Sequence, residues 1–556
     1  MKKNWWKEAV AYQIYTRSFK DSNGDGIGDL KGIISKLDYL KDLGIDVIWI
    51  SPMYKSPNDD NGYDISDYQD IMEEFGGMED FDQLLEEVHK RGMKLIIDFV
   101  ANHTSDEHKW FIESRSSKDN SKRDWYIWKD GKNGSKLPNN WESIFKGSVW
   151  QYDENTQQYY FHLFSKKQPD LNWENPDVRK EIYDMMRWWL DKGIDGFRVD
   201  AVTHIKKDQT FEDLPNPDNK ECVESFEKHM NYDGIHTFLN ELKKEVFDNY
   251  DIMTVGEANG VKADGDADLW VGEEKGSFNM IFQFEHLDLW EPTDDGVSQI
   301  IKLKKALSKW QDNLYELGWN ALFIENHDIA RVISTLGNDQ EYRNECAKAF
   351  ALMYFMQQGT PFIYQGQEIG MTNVKFNSID EYNDVKTINI YNELIAEGAS
   401  KEEALKYVWR ISRDNSRTPM QWNNLEYAGF SDKKPWIGIN ENYLEINVEK
   451  ELMDENSILN FYKKMIELKK SKEALIYGKY ELILEEHEKI YSYMRSYGEE
   501  KYLIICNLSN DIVKYSYEDV KLDFDNILIS NYSIDRHSVT SSFDLNPWEC
   551  RLYRVN

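Results

Sequence analysis

The chain has 556 residues, 40% hydrophobic and 14% aromatic, with 67 Lys and Arg against 100 Asp and Glu for a formal net charge of −33. That length allows several units of ~150 residues, or one barrel with additions, and the charge excludes nucleic acid and anionic membrane surfaces as partners through long-range repulsion. Cys222, Cys346, Cys506 and Cys550 lie far apart with no CxxC pair, which argues against a zinc cluster or a disulfide framework and for reduced, structural thiols.

The opening MKKNWWKEAV has two lysines but no apolar stretch behind them, and no later run approaches the ~18 apolar residues of a membrane span, so a cytoplasmic protein without a membrane partner is expected. The first strand-like run is VAYQIY (10–15). After it, the loop DSNGDGIGD (21–29) offers side-chain oxygens at Asp21, Asn23, Asp25 and Asp29, with the backbone carbonyl of Ile27 between them. Such alternation suits a structural Ca²⁺ or Mg²⁺, although Gly32 stands where an EF-hand has its bidentate Glu; the competing reading is a solvated Asp/Gly turn.

Further strand-like runs follow at VIWISP (47–52), KLIIDFV (94–100), GFRVDAV (196–202), IMTVGEA (252–258), MIFQFE (280–285), ALFIENHD (321–328) and PFIYQGQE (361–368). Between them, FDQLLEEVHKRG (81–92) and DVRKEIYDMMRWWLDKG (177–193) carry apolar residues at helical spacing before a terminating Gly. Strand and helix alternating in this way predict an α/β fold, a (β/α)₈ TIM barrel spanning 1–103 and 174–480. Residues 104–173, too long for an ordinary βα loop, predict an inserted subdomain after strand 3. From 481 to 556, short alternating runs with polar turns predict a C-terminal antiparallel β-sandwich domain.

Reactive groups of such a barrel sit at the C-terminal strand ends. This filter returns Asp98 and Asn102–His103 after strand 3, Arg198 and Asp200 on strand 4, Glu257 on strand 5, and His327–Asp328 on strand 7. Any one acid there could be a structural salt bridge, but three from different strands supply the nucleophile, the proton donor and the charge stabiliser of glycoside hydrolysis. Arg198 stands two residues before Asp200, on the same strand face, and is expected to keep that carboxylate ionised and oriented.

DFVANHTSDEH (98–108), QPDLNW (168–173), GFRVDAV (196–202), GEANGV (256–261) and ENHD (325–328) resemble the signature regions of glycoside hydrolase family 13, in its oligo-1,6-glucosidase and α-glucosidase branch. The likeness covers essentially the whole chain, including DNGYDISDY (60–68) and RDNSRTPMQW (413–422). It implies Asp200 as nucleophile, Glu257 as general acid and base, and Asp328 as transition-state stabiliser, in a retaining mechanism that needs no catalytic cofactor. It also implies that His103 and His327 bind sugar hydroxyls, that Asp60 and Arg413 hold the terminal glucose for exo-action, and that Tyr63 gives a stacking face. In the resembling enzymes the loop at 21–29 often binds calcium or magnesium. The expected partner is a small oligosaccharide, and the expected assembly a monomer or weak homo-oligomer.

After the nucleophile stands Ala201, where α-1,6 enzymes of this branch typically carry Val. One or two methyl groups at that subsite redirect a leaving sugar at ~1–3 kcal/mol, so the sequence favours α-1,4 (maltose-like) bonds, with α-1,6 hydrolysis as the alternative. GEANGV also departs from the Met-Pro or Thr-Pro pair frequent after the acid, and Thr16 stands where Pro is usual. Sucrose isomerase would need an arginine-rich entrance loop, where ENHDIARVIS (325–334) has only Arg331. Trehalose-6-phosphate hydrolase would need a basic pocket. An inactive barrel relative serving a transporter or binding sugar would lack a carboxylate or carry an anchor.

Overall fold

The structure, a computed structural model, describes residues 2–132, 136–290, 297–518, 520, 522–534 and 539–555. Parts of the three expected units, among them residues 133–135 of the insertion and 535–538 of the C-terminal region, lie outside the described residues.

All eight expected strands are present: Ala11–Ile14, Val47–Ile50, Lys94–Val100, Gly196–Asp200, Met253–Ala258, Met280–Gln283, Ala321–Leu322 and Thr360–Tyr364. They are parallel and run sixth, fifth, fourth, third, second, first, eighth, seventh. The sixth and seventh close the barrel by packing, with the Phe282 and Phe323 rings 5.0 Å apart. The seventh strand is only two residues long, and the ENHD motif continues from it as irregular chain.

Period-two alternation sorts each strand into two environments. Val47, Trp49, Ile96, Val255, Phe282 and Phe362 face inward and pack a dry plug, each fully buried side chain contributing ~1.5–3 kcal/mol. Ile48, Ile97, Phe99, Phe197 and Val199 face outward under the helices. Helix Met78–Lys90 and helix Pro176–Lys192 cover that outer face. The second starts with Asn175 accepting from the Asp177 N–H and Pro176 at its first position, and stops at Gly193 with φ 110°. Gly196 opens the fourth strand at φ 145°, where a Cβ would lie 1.9 Å from the Met253 carbonyl oxygen. Only glycine lets the fourth and fifth strands approach this closely.

A three-stranded antiparallel sheet, Trp128–Lys129, Gln158–Phe161 and Trp150–Asp153, lies within the 104–173 stretch around its own apolar cluster. Towards the C-terminus, five antiparallel strands are ordered Lys479–Ile483, Ile490–Tyr497, Glu500–Asn507, Cys550–Val555, Ile527–Ser530. Lys304, from a barrel helix, joins this sheet by donating to the carbonyls of Leu484 and His487 at 2.8 and 2.6 Å.

Candidate active site

Above the apolar plug, the same inward rows change from apolar to charged. Asp98 pairs with Arg198 and Val100 with Asp200 across the third and fourth strands, while Val255 pairs with Arg198, which sets Glu257 one step further along the inward row. Register alone therefore brings four ionisable groups together. The Arg198 guanidinium donates to Asp98 Oδ1 at 2.9 Å, Asp200 Oδ1 at 2.6 Å and Glu257 Oε2 at 2.6 Å.

Three acids on one guanidinium carry a surplus of two negative charges if all ionise, which a buried site resists. Burial, then the Glu257 charge, push the Asp200 carboxyl well above its ordinary range, and Arg198 offsets this only in part. Asp98 is raised to about 6, chiefly by burial against the pull of Arg198. The expectation that Arg198 by itself keeps Asp200 ionised is thereby corrected: one guanidinium is divided among three acids.

Asp328 differs. Its neighbour His327 and two arginines contact it, with Arg417 Nη2 at 2.7 Å and Arg413 Nη1 at 3.2 Å from Oδ1. Burial raises its pKa, but His327, Arg413 and Arg417 outweigh that and hold the carboxylate well below the usual range. It is the ionised acid of the site. Its side chain is 34% exposed, open to a bound molecule.

Asp60 and Arg413 meet as expected, Nη2 to Oδ1 at 3.2 Å. Arg413 is bound more tightly to Asp384, at 2.5 and 2.9 Å. The sequence reading missed Asp384. It is fully buried, accepts from Thr387 N and Oγ1 as the cap of helix Val385–Ala396, and is held ionised by Arg413 and Arg417 against the effect of burial. Its one local signal was an Asp with Thr three residues later, a helix-start pattern. Gln168, of the QPDLNW motif, donates to Asp60 Oδ2 at 3.1 Å and lies 3.1 Å from His103 Nε2, tying the insertion to the pocket.

Both histidines are buried and neutral, burial lowering each to about 3. Gln13 Nε2 donates to His327 Nδ1 at 2.7 Å, which leaves His327 Nε2–H to donate towards the Tyr63 hydroxyl at 2.5 Å, and Tyr63 donates onward to Asp98 Oδ2 at 3.2 Å. Tyr63 was expected to stack on sugar. One of its faces lies parallel to the His327 ring at 5.3 Å, so only the other can meet a ligand. The carrying turn bends through Asn58, Asn61 and Gly62 at φ 61°, 51° and 99°. Buried Asp64 stitches it together, accepting from Asp59 N, Asp60 N and Ser56 Oγ at 2.8, 3.0 and 3.0 Å.

Ala201 follows the fourth strand at φ 46°, buried, its N–H donating to Glu257 Oε2 at 3.1 Å. Arg331 is fully buried on Glu325 and the Gln365 carbonyl, away from any entrance. In the 21–29 loop, Asp21 accepts from Asn23 N, Gly24 N, Gly26 N and Ser431 Oγ, which fills its four lone-pair positions. Each oxygen of Asp25 accepts one hydrogen bond, from Ile27 N and Asn23 Nδ2, and Asp29 caps the next helix through Gly32 N. The donors are all oxygen, as a hard cation requires, but no cluster of three His, Cys, Asp or Glu is drawn together for one among the described residues.

Residues 13–478 match the alpha-amylase catalytic domain. The chain is 58% identical to a probable oligo-1,6-glucosidase 3 of Bacillus subtilis and 52% identical to an oligo-1,6-glucosidase of Parageobacillus thermoglucosidasius, covering 100% of both partners in each case. Among solved structures, a trehalose-6-phosphate hydrolase of Bacillus licheniformis superposes with a TM-score of 0.93 at 46% identity, again over 100% of each chain.

Proposed function

The chain belongs to the alpha-amylase family and is a glycoside hydrolase, and from that premise we propose that it is an exo-acting, retaining α-glucosidase that releases glucose from short isomalto-oligosaccharides by cutting α-1,6 bonds. The observation that carries the chemistry is the division of Arg198 between Asp200 and Glu257 at 2.6 Å each, with an ionised Asp328 opposite. Asp200 attacks the anomeric carbon, Glu257 protonates the leaving oxygen and later activates water, and Asp328 faces the oxocarbenium-like charge. His103 and His327, as neutral donors, meet hydroxyls of the cleaved glucose. Asp60 and Arg413 close the pocket behind it, and Tyr63 borders it.

The α-1,6 preference replaces the α-1,4 reading of Ala201. Relatives named oligo-1,6-glucosidases cover the whole chain, and at φ 46° a small residue answers a backbone demand before it answers a sugar. An α-1,4 activity stays as a second reading, since the Ala201 methyl leaves more room beside Asp200 than a branched side chain. Trehalose-6-phosphate is disfavoured because Arg198, Arg413 and Arg417 all engage carboxylates. Sucrose isomerisation is disfavoured because Arg331 is buried. The same reading gives the 21–29 loop a structural Ca²⁺ or Mg²⁺, taken by Asn23, Asp25, Asp29 and the Ile27 carbonyl, with Asp21 giving up a hydrogen bond if it joins them.

Hydrolysis of isomaltose, maltose, sucrose and trehalose-6-phosphate side by side tests the proposal. Isomaltose should show the highest kcat/KM with release of α-glucose; a higher value for maltose would restore the α-1,4 reading.

A further inference from the structure

Two of the four cysteines, separated by most of the C-terminal region in sequence, stand directly opposite each other. Cys506 and Cys550 are register partners on the adjacent antiparallel strands Glu500–Asn507 and Cys550–Val555, both fully buried and both in the thiol form. Opposite residues of an antiparallel pair project to the same face, and how close their side chains come depends on where the backbone bonds fall. Here the next pair carries the bond, Asn507 N to Glu549 O at 2.8 Å. The Cys550 N–H turns away to the Asn531 side chain at 2.8 Å, and its carbonyl accepts from Asn531 N at 3.4 Å. Cys506 and Cys550 therefore occupy a non-hydrogen-bonded site, where Cα atoms lie about 4.5 Å apart, within the window that a disulfide spans without moving backbone.

Both thiols are fully buried, so a reagent reaches them only where the structure opens next to the pair. A cavity of about 620 Å³ between a barrel helix and the C-terminal sheet is lined by Lys348, Phe461, Ser530 and Asn531. Asn531 is the residue bonded to the Cys550 backbone, and Lys348 sits close enough to favour the Cys550 thiolate, although burial outweighs it. Neither cysteine lines the cavity, so an oxidant seated beside the Lys348 ammonium meets the Cys550 thiol only when the wall at Asn531 opens.

We infer that Cys506 and Cys550 form a redox modification site, closing to a cross-strand disulfide when a low-molecular-weight disulfide oxidant enters the cavity lined by Lys348 and Asn531. The Cys550 thiolate attacks one sulfur of the oxidant, giving a mixed disulfide and expelling one thiol. Cys506 then attacks the Cys550 sulfur, giving its proton to solvent and expelling the second thiol. Two thiols of the protein are oxidised and one disulfide of the oxidant is reduced to two thiols. The product ties Asn507–Glu549 into a covalent loop remote from the carboxylates, so it acts on stability and not on turnover.

The test incubates the full chain, natively folded, with oxidised glutathione, followed by thiol counting and non-reducing peptide mass spectrometry. The expected result is the loss of two thiols, a cross-linked pair of peptides containing Cys506 and Cys550 with two hydrogens missing, a higher melting temperature, unchanged activity, and reversal by dithiothreitol. Cys506→Ser should leave only a glutathione adduct or an unmodified Cys550, whereas Cys346→Ser should leave the cross-link intact. Cys550→Ser provides the reciprocal check if Cys506→Ser folds poorly. Oxidation confined to half-buried Cys222, or four thiols surviving prolonged exposure, would overturn the inference.

Discussion

Arg198 Nη1 lies 2.6 Å from Asp200 Oδ1, two residues away on the same strand, while its Nη2 serves Glu257. The pair is thus one arm of a cluster with more negative than positive charge. Replacing Asp200 by Asn removes the proposed nucleophile and also relieves part of that repulsion. Turnover should fall by at least ~10³-fold, while the melting temperature stays level or rises. Near-normal turnover in a variant verified by mass would refute the assignment, and a large drop in melting temperature would refute the account of the charge surplus.

Asp384→Asn keeps the helix cap but removes the charge that orients Arg413. With its oxygen kept on the cap, the amide nitrogen faces Arg413 and both charge-assisted bonds are lost, each worth ~1.5–3 kcal/mol, so kcat/KM should fall at least about 10-fold, chiefly through KM, because Arg413 then grips Asp60 and Asp328 less selectively. Unchanged KM for isomaltose would mean that Arg413 needs no such support.

Asp64 gives a pH-dependent prediction. Burial raises its carboxyl to about 7, against the pull of the Asp59 and Asp60 amides, whereas in the unfolded chain it titrates at ~3.9. Between those values the folded state holds a proton that the unfolded state has lost, so stability falls as pH rises from about 4 to about 7. In Asp64→Asn that loss disappears. The melting temperature of the variant minus that of the parent should climb steadily across this window. A flat difference would show that Asp64 is ionised throughout.

Ala201→Val puts a β-branched side chain at φ 46°. The strain should cost ~1–3 kcal/mol, read as a lower denaturant midpoint. The ratio of isomaltose to maltose kcat/KM should rise as the subsite narrows. An unaltered midpoint would remove the backbone argument, and an unaltered ratio would remove the residue from linkage choice.

If the 21–29 loop binds a cation, saturating Ca²⁺ or Mg²⁺ should raise the melting temperature of chelator-treated protein. Asp25→Ala should abolish that rise without changing kcat. Equal melting curves with and without the ions would leave the loop as a turn closed by its own amides.

The sequence by itself determined the barrel and pointed to the acids that the proposal makes reactive. Strand periodicity, helix stops such as Gly193 and the motifs around Asp98, Asp200, Glu257 and Asp328 are local signals, since a strand's inward row is fixed by counting residues in twos. Arg198 and Asp200 share a face for that reason alone. Only the tertiary structure decided how the charges are shared. Asp384 reaches Arg413 from a helix that no catalytic motif marks, Gln168 arrives from the insertion, and Arg198 is split three ways because register brings Asp98 and Glu257 to its flanks. The same holds for Ala201, whose left-handed backbone is invisible in its identity, and for Cys506 and Cys550, distant in the chain yet opposite in the sheet. Side-chain periodicity follows from covalent geometry within one segment, whereas these pairings depend on which segments pack together.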